Sequence, residues 1–114
     1  MHNAPTPAQR LRIYLGERDK APGGQPLYEA ILHEAKKRGL AGGTVFKGVA
    51  GFGANSHLHT AKILRLSEDM PLVVEIVDKV EKVEAFLPWL DEEIKEGLVT
   101  VDEVKVLLYR SSES

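Results

Sequence analysis

Residues 48–62 read GVAGFGANSHLHTAK. Gly48, Gly51 and Gly53 surround Phe52, and His57 and His59 follow just beyond. Glycine carries no Cβ, so its backbone N–H can approach an anion closely. The pattern therefore suits a phosphate or another small anion, and it suits a tight, irregular hairpin equally well. Short glycine patterns do not by themselves choose between the two. Phe52 reads first as a packing anchor and second as a stacking surface for a base. His57 and His59 fall on the same side of an extended strand, where two imidazoles can share a metal. Two ligands do not make a site, and neither His33 nor Asp69 has a spacing that brings it to the pair. The alternative for these histidines is contact with a ligand phosphate or a partner. Lys47, Lys62 and Arg65 add positive charge beside the loop. Singly they read as solvated strand-edge residues; together they suit an anion. Thr44 and Thr60 read first as strand residues with satisfied hydroxyls and second as hydroxyls within reach of a ligand near the loop base.

No catalytic set accompanies these residues. Glu68 and Asp69 are adjacent acids without a nucleophile or base beside them, and they read as a turn before Pro71. Ser67 lies in no activating motif. With zero cysteines, thiolate metal sites, disulfides and cysteine nucleophiles are excluded. The expectation is a protein that is not an enzyme and requires no cofactor.

The 114 residues suffice for one domain with a modest core, and 43% apolar with 28% charged residues is ordinary for a globular chain. A formal charge of −2 argues against nucleic acid as a partner, which calls for a basic excess. No apolar run approaches the roughly 20 residues that span a bilayer. MHNAPTPAQR lacks the apolar stretch of a signal peptide. A cytoplasmic location, with no embedding in a membrane, is expected.

The elements that must position the loop follow from periodicity. Met1–Ala8 reads as a flexible tail, residues 9–110 as the folded domain and 111–114 as a second tail. In RLRIYL, Leu11, Ile13 and Leu15 alternate with Arg10, Arg12 and Tyr14, which predicts a strand. GERDKAPGG is a loop by composition. Leu27, Ile31 and Ala35 form a helical stripe that starts after Pro26, ends in Lys36-Lys37-Arg38, and stops at Gly39. GGTVFKGV is a second strand. TAKILRLS and PLVVEIV read as one interrupted strand or two short ones. Asp78 and Glu81 resemble a capping box that opens a second helix. Its stripe is Val80, Val83, Leu87, Leu90 and Ile94, it should be kinked or divided at Pro88, and Gly97 should end it. Glu92, Glu93, Lys95 and Glu96 form its wet face. VDEVKVLLY closes the chain as a last strand.

This order is β-α-β-β-α-β, an α+β ferredoxin-like arrangement with two helices on one face of an antiparallel sheet. Leu72/Val74/Ile76 and Val73/Val77 are apolar on both sides of their strand. Val104/Val106/Leu108 and Leu107/Tyr109 repeat this on the last strand. Two helices cover only one side, so the open side should be an apolar patch buried against other copies of the chain.

The stretches RIYLGE, PLYEAI, RGLAGGTVFKGVAGFG, HTAKILRLSEDMPLVVEIVD and GLVTVDEVKV resemble the PII-like family called domain of unknown function one-ninety, over about residues 9–109. Its wider relatives are PII signalling proteins and CutA-type proteins. The resemblance implies a homotrimer whose sheets face inward. It also implies an adenine nucleotide or similar metabolite held between subunits, and a 50–60 loop that controls a client transporter or enzyme. Gly51-Phe52-Gly53 resembles the PII pattern at the base of that loop. The ligand set so implied is Thr44, Lys47, Gly48, Gly51, Phe52, Gly53, His57, Thr60 and Lys105. The chain departs from PII proteins in carrying Leu98 where a lysine usually follows Gly97. Lys105 and Leu107 stand at the positions of two arginines, and the 50–60 loop has no tyrosine to uridylylate. A CutA-like metal-binding trimer using His57 and His59 is the second reading.

Overall fold

In a computed structural model, residues 6–52 and 69–111 are described. They form strands β1 (Thr6–Gly16), β2 (Thr44–Lys47), β3 (Pro71–Asp78) and β4 (Leu98–Val106), with helices α1 (Leu27–Lys37) and α2 (Val80–Glu93). The sheet order is β2-β3-β1-β4 and every pairing is antiparallel. This is the ferredoxin-like architecture. TAKILRLS, expected as a strand, lies outside the described residues.

Alternation places the core. Leu11, Ile13 and Leu15 of β1 stand opposite Ile76, Val74 and Leu72 of β3, and all six are buried. α1 adds Leu27, Ala30, Ile31 and Ala35, and α2 adds Val83, Phe86 and Leu90. Phe86, absent from the expected stripe, is fully buried. It stacks on Trp89 with centroids 5.4 Å apart, and the Arg38 guanidinium lies 5.6 Å from its ring centroid. At this range the contact counts as cation–π.

α1 ends in a Schellman motif. The Gly39 N–H donates to the Lys36 carbonyl and the Leu40 N–H to the Ala35 carbonyl, both at 3.0 Å, with Gly39 at φ 78°. α2 departs from expectation at both ends. Its N-cap is Lys79, and no side chain caps it. The Asp78 carboxylate accepts from the Lys79 N–H (2.7 Å) and from the distant Ala41 N–H (2.8 Å), so it fastens the loop after α1 and makes no capping box. At the other end, the helix closes at Glu93 and Ile94 is already extended, so Gly97 introduces β4 and does not terminate the helix. Pro88 leaves α2 undivided. It is exposed, as is Glu84, whose carbonyl it deprives of a donor, so solvent can replace the lost bond. The Arg38 Nη1 donates to the next carbonyl, Ala85, at 3.1 Å.

The outer strands differ from expectation too. β1 starts at Thr6, because Thr6, Pro7 and Ala8 pair with Val106, Lys105 and Val104. β4 begins at Leu98 and stops at Val106, before Leu107-Leu108-Tyr109.

Register also corrects the expected apolar open face. Its middle carries two ion pairs, Arg10–Asp102 (2.6 Å) and Arg12–Glu75 (3.0 Å). Arg10 grips Asp102 with two nitrogens, Nε reaching Oδ1 and Nη2 reaching Oδ2. Apolar residues flank this stripe: Tyr14, Val73, Phe46 and Leu98 toward one end, Ala8, Val104 and Val106 toward the other. The Arg10 hydrogen bond is the main cause that holds the Asp102 carboxyl below its ordinary pKa of 3.8. A depressed carboxylate pKa supplies stability that is complete above the unfolded value and is lost as pH falls through the folded one. Asp102→Asn should therefore flatten the acid limb of the stability profile below about pH 4. Denaturant midpoints measured between pH 2 and 6 check this; parallel profiles for the two proteins would remove the pair from the acid response.

Candidate functional site: the base of the 50–60 loop

β2 and β3 hold the described part of the quoted loop. Pairing puts Thr44 opposite Glu75 and Lys47 opposite Leu72. Thr44 therefore shares the open face with Phe46, and Lys47 shares the helix-side face with Val45. The Gly48 N–H donates to the Pro71 carbonyl at 2.7 Å, which ends the ladder. A Cβ at Gly48 would lie 2.9 Å from Pro71 Cγ, so close packing alone demands glycine there. At Gly51 the same ring is 3.5 Å away, ordinary contact, so packing makes no such demand. Phe52 is 74% exposed and stands outside the core, against its reading as an anchor within this chain. Gly53, His57, His59 and Thr60 lie outside the described residues, as do Lys62, Arg65, Ser67 and Glu68.

Sequence reasoning missed the partners that organise this corner. Lys47 Nζ sits 3.2 Å from a Glu17 carboxylate oxygen. The Glu17 N–H donates to the Met70 carbonyl, which ties the β1–α1 loop to the start of β3. Asp69, read as part of a turn, lies next to the described start of β3, and its carboxylate accepts from the Arg18 N–H at 3.1 Å. Asp19 accepts from the Gly16 N–H at 3.0 Å. The glutamate follows the strand signal RIYLG by one residue, but nothing local announces its contact 30 positions along.

Lys105 is not brought to this corner. It pairs with Pro7 on β4, whereas Lys47 aligns through Leu72 with Leu15. Eight residues of β1 and three strand spacings separate the rows, about 26 Å along and 14 Å across. Within one chain the two lysines cannot share a ligand. Among the described residues, no three His, Asp or Glu side chains converge as metal ligands. No helix among them is long and apolar enough to cross a membrane.

The architecture is that of PII-like proteins. It matches CPII, described as a nitrogen regulatory PII-like protein from Thiomonas intermedia K12 bound to ADP, AMP and bicarbonate. The TM-score is 0.63 at 19% identity, over 92% of both chains. The chain itself belongs to the DUF190 family, "Uncharacterized ACR, COG1993", which it matches over residues 8–106. It is 42% identical over 100 residues to a UPF0166 protein of Aquifex aeolicus (strain VF5), covering 85% of this chain and 90% of that one. It is 38% identical over 100 residues to a UPF0166 protein of Methanocaldococcus jannaschii, covering 87% and 91%.

Proposed function

We propose that this chain is a non-enzymatic, cytoplasmic PII-like regulator that assembles as a homotrimer. It binds an adenine nucleotide between copies, and through its 50–60 loop it controls a client transporter or enzyme. The observation that carries the reading is the placement of Lys47 and Lys105 at opposite corners of one sheet. Only a neighbouring copy can bring Lys105 to the Lys47, Gly48, Gly51 and Phe52 corner. The exposed Phe52 ring offers a base a stacking surface, and glycines 51 and 53 offer phosphates bare N–H groups. His57, Thr44 and Thr60 complete the set. The ADP and AMP bound to CPII, which shares this fold, support an adenine ligand.

Binding would order the loop and so select a partner. Titration calorimetry with ADP, AMP and ATP, with and without bicarbonate, tests the reading, and saturable heat at micromolar to low millimolar nucleotide is the expected result. Lys47→Ala and Lys105→Ala should each weaken binding about ten-fold or more, since a hydrogen bond to a charged group contributes about 1.5–3 kcal/mol. Absence of heat with every nucleotide would end the sensor reading.

A further inference from the structure

β4 is an outer strand of the sheet, and among the described residues α2 packs chiefly over β1 and β3, leaving β4 largely exposed. Two apolar features lie at its opposite ends. At the start, a groove of about 360 Å³ runs between α2 and β4, lined by Leu87, Leu90, Asp91, Ile94, Gly97 and Val99. Past the end, Leu107 and Leu108 are 66% and 57% exposed, and the Tyr109 hydroxyl holds the segment beside its own Ala41 carbonyl at 3.4 Å. Arg110 follows directly. Neither Arg110 nor the Asp91 of the groove has an ion-pair partner among the described residues.

The segment cannot reach the groove of its own chain. Seven strand residues, about 23 Å, separate Val99 from Val106. Arg110 is four residues beyond Val106, a reach of at most about 14 Å even if the chain doubled back. The two features match in polarity and in charge, and only different copies can join them.

We infer that the Leu107–Arg110 segment of one copy docks into the α2–β4 groove of the next, with Leu107 and Leu108 against Leu87, Leu90 and Ile94, and Arg110 against Asp91. The contact is heterologous, so each copy gives one segment and accepts another, and a rotation that closes produces a ring. Docking removes the exposed leucines from water, and the charge pair sets which way the segment lies. This inference rests on the assembly part of the proposed function and names the surfaces that make its seam.

Analytical ultracentrifugation over a dilution series tests it, with nucleotide calorimetry run on the same samples. Asp91→Arg and Arg110→Asp should each raise the dissociation midpoint at least ten-fold, and the double exchange should restore it. Leu107→Ser with Leu108→Ser should also loosen assembly while leaving the far-ultraviolet circular dichroism unchanged, because neither residue belongs to the core. If the single reversals assemble like the parent, or the double exchange fails to recover, the seam is overturned while nucleotide binding can still stand. A parent chain that stays monomeric throughout overturns the seam and the trimer together.

Discussion

Replacing Phe86 with alanine lowers folding stability by about 3–5 kcal/mol, the range for removing a large ring from a well-packed core. Phe86 has no exposed surface and packs at the centre of the α2 face that covers β1 and β3. Its ring stacks on Trp89 and lies under Arg38, whose other contacts, Glu34 and the Ala85 carbonyl, join α1 to α2. Truncation thus opens a cavity and removes what orients the bridging arginine. At about 4–8 °C per kcal/mol for a small domain, the melting temperature should fall by well over 10 °C. Phe86→Leu keeps most of the volume and should cost far less. Calorimetric melting of both variants checks the claim, and a loss under about 1 kcal/mol for alanine would show that the site collapses around the gap.

Gly97→Ala is expected to cost about 1–3 kcal/mol, the usual penalty of a backbone conformation that side chains resist. Gly97 has φ 151°, and a Cβ there would stand 2.9 Å from the Tyr14 carbonyl oxygen. That oxygen belongs to β1, the central partner of β4, so it cannot yield without disturbing the ladder that begins at Leu98. Gly42→Ala is the control, because a Cβ there meets nothing within 4 Å and φ is not positive. Urea midpoints for the two should separate clearly. Equal midpoints would mean that β4 can start elsewhere.

The alternation of Leu11, Ile13 and Leu15, the stripe Leu27, Ile31 and Ala35, and the glycine stop at residue 39 are local patterns, and the structure follows each of them. The capping box at Asp78 failed for a reason no window of sequence contains. That carboxylate is claimed by Ala41, 37 residues away, once β3 and the end of α1 are side by side. The apolar open face held only at its two ends, for a similar reason. Counting Val73, Val77, Val104 and Val106 hides that register sets Arg10 against Asp102 and Arg12 against Glu75 between them. For the site, the glycines of the loop are visible in the sequence, whereas the Glu17 partner of Lys47 is not.

Among the described residues, the amino-acid order alone determined the type and succession of the elements, because the two- and 3.6-residue periods are properties of short segments. Only the tertiary structure decided that β2 and β4 are the outer strands. That arrangement separates Lys47 from Lys105 and leaves the α2–β4 groove open. Strand order and register come from the burial of all four strands together, and a local period carries no record of which neighbour each strand will take.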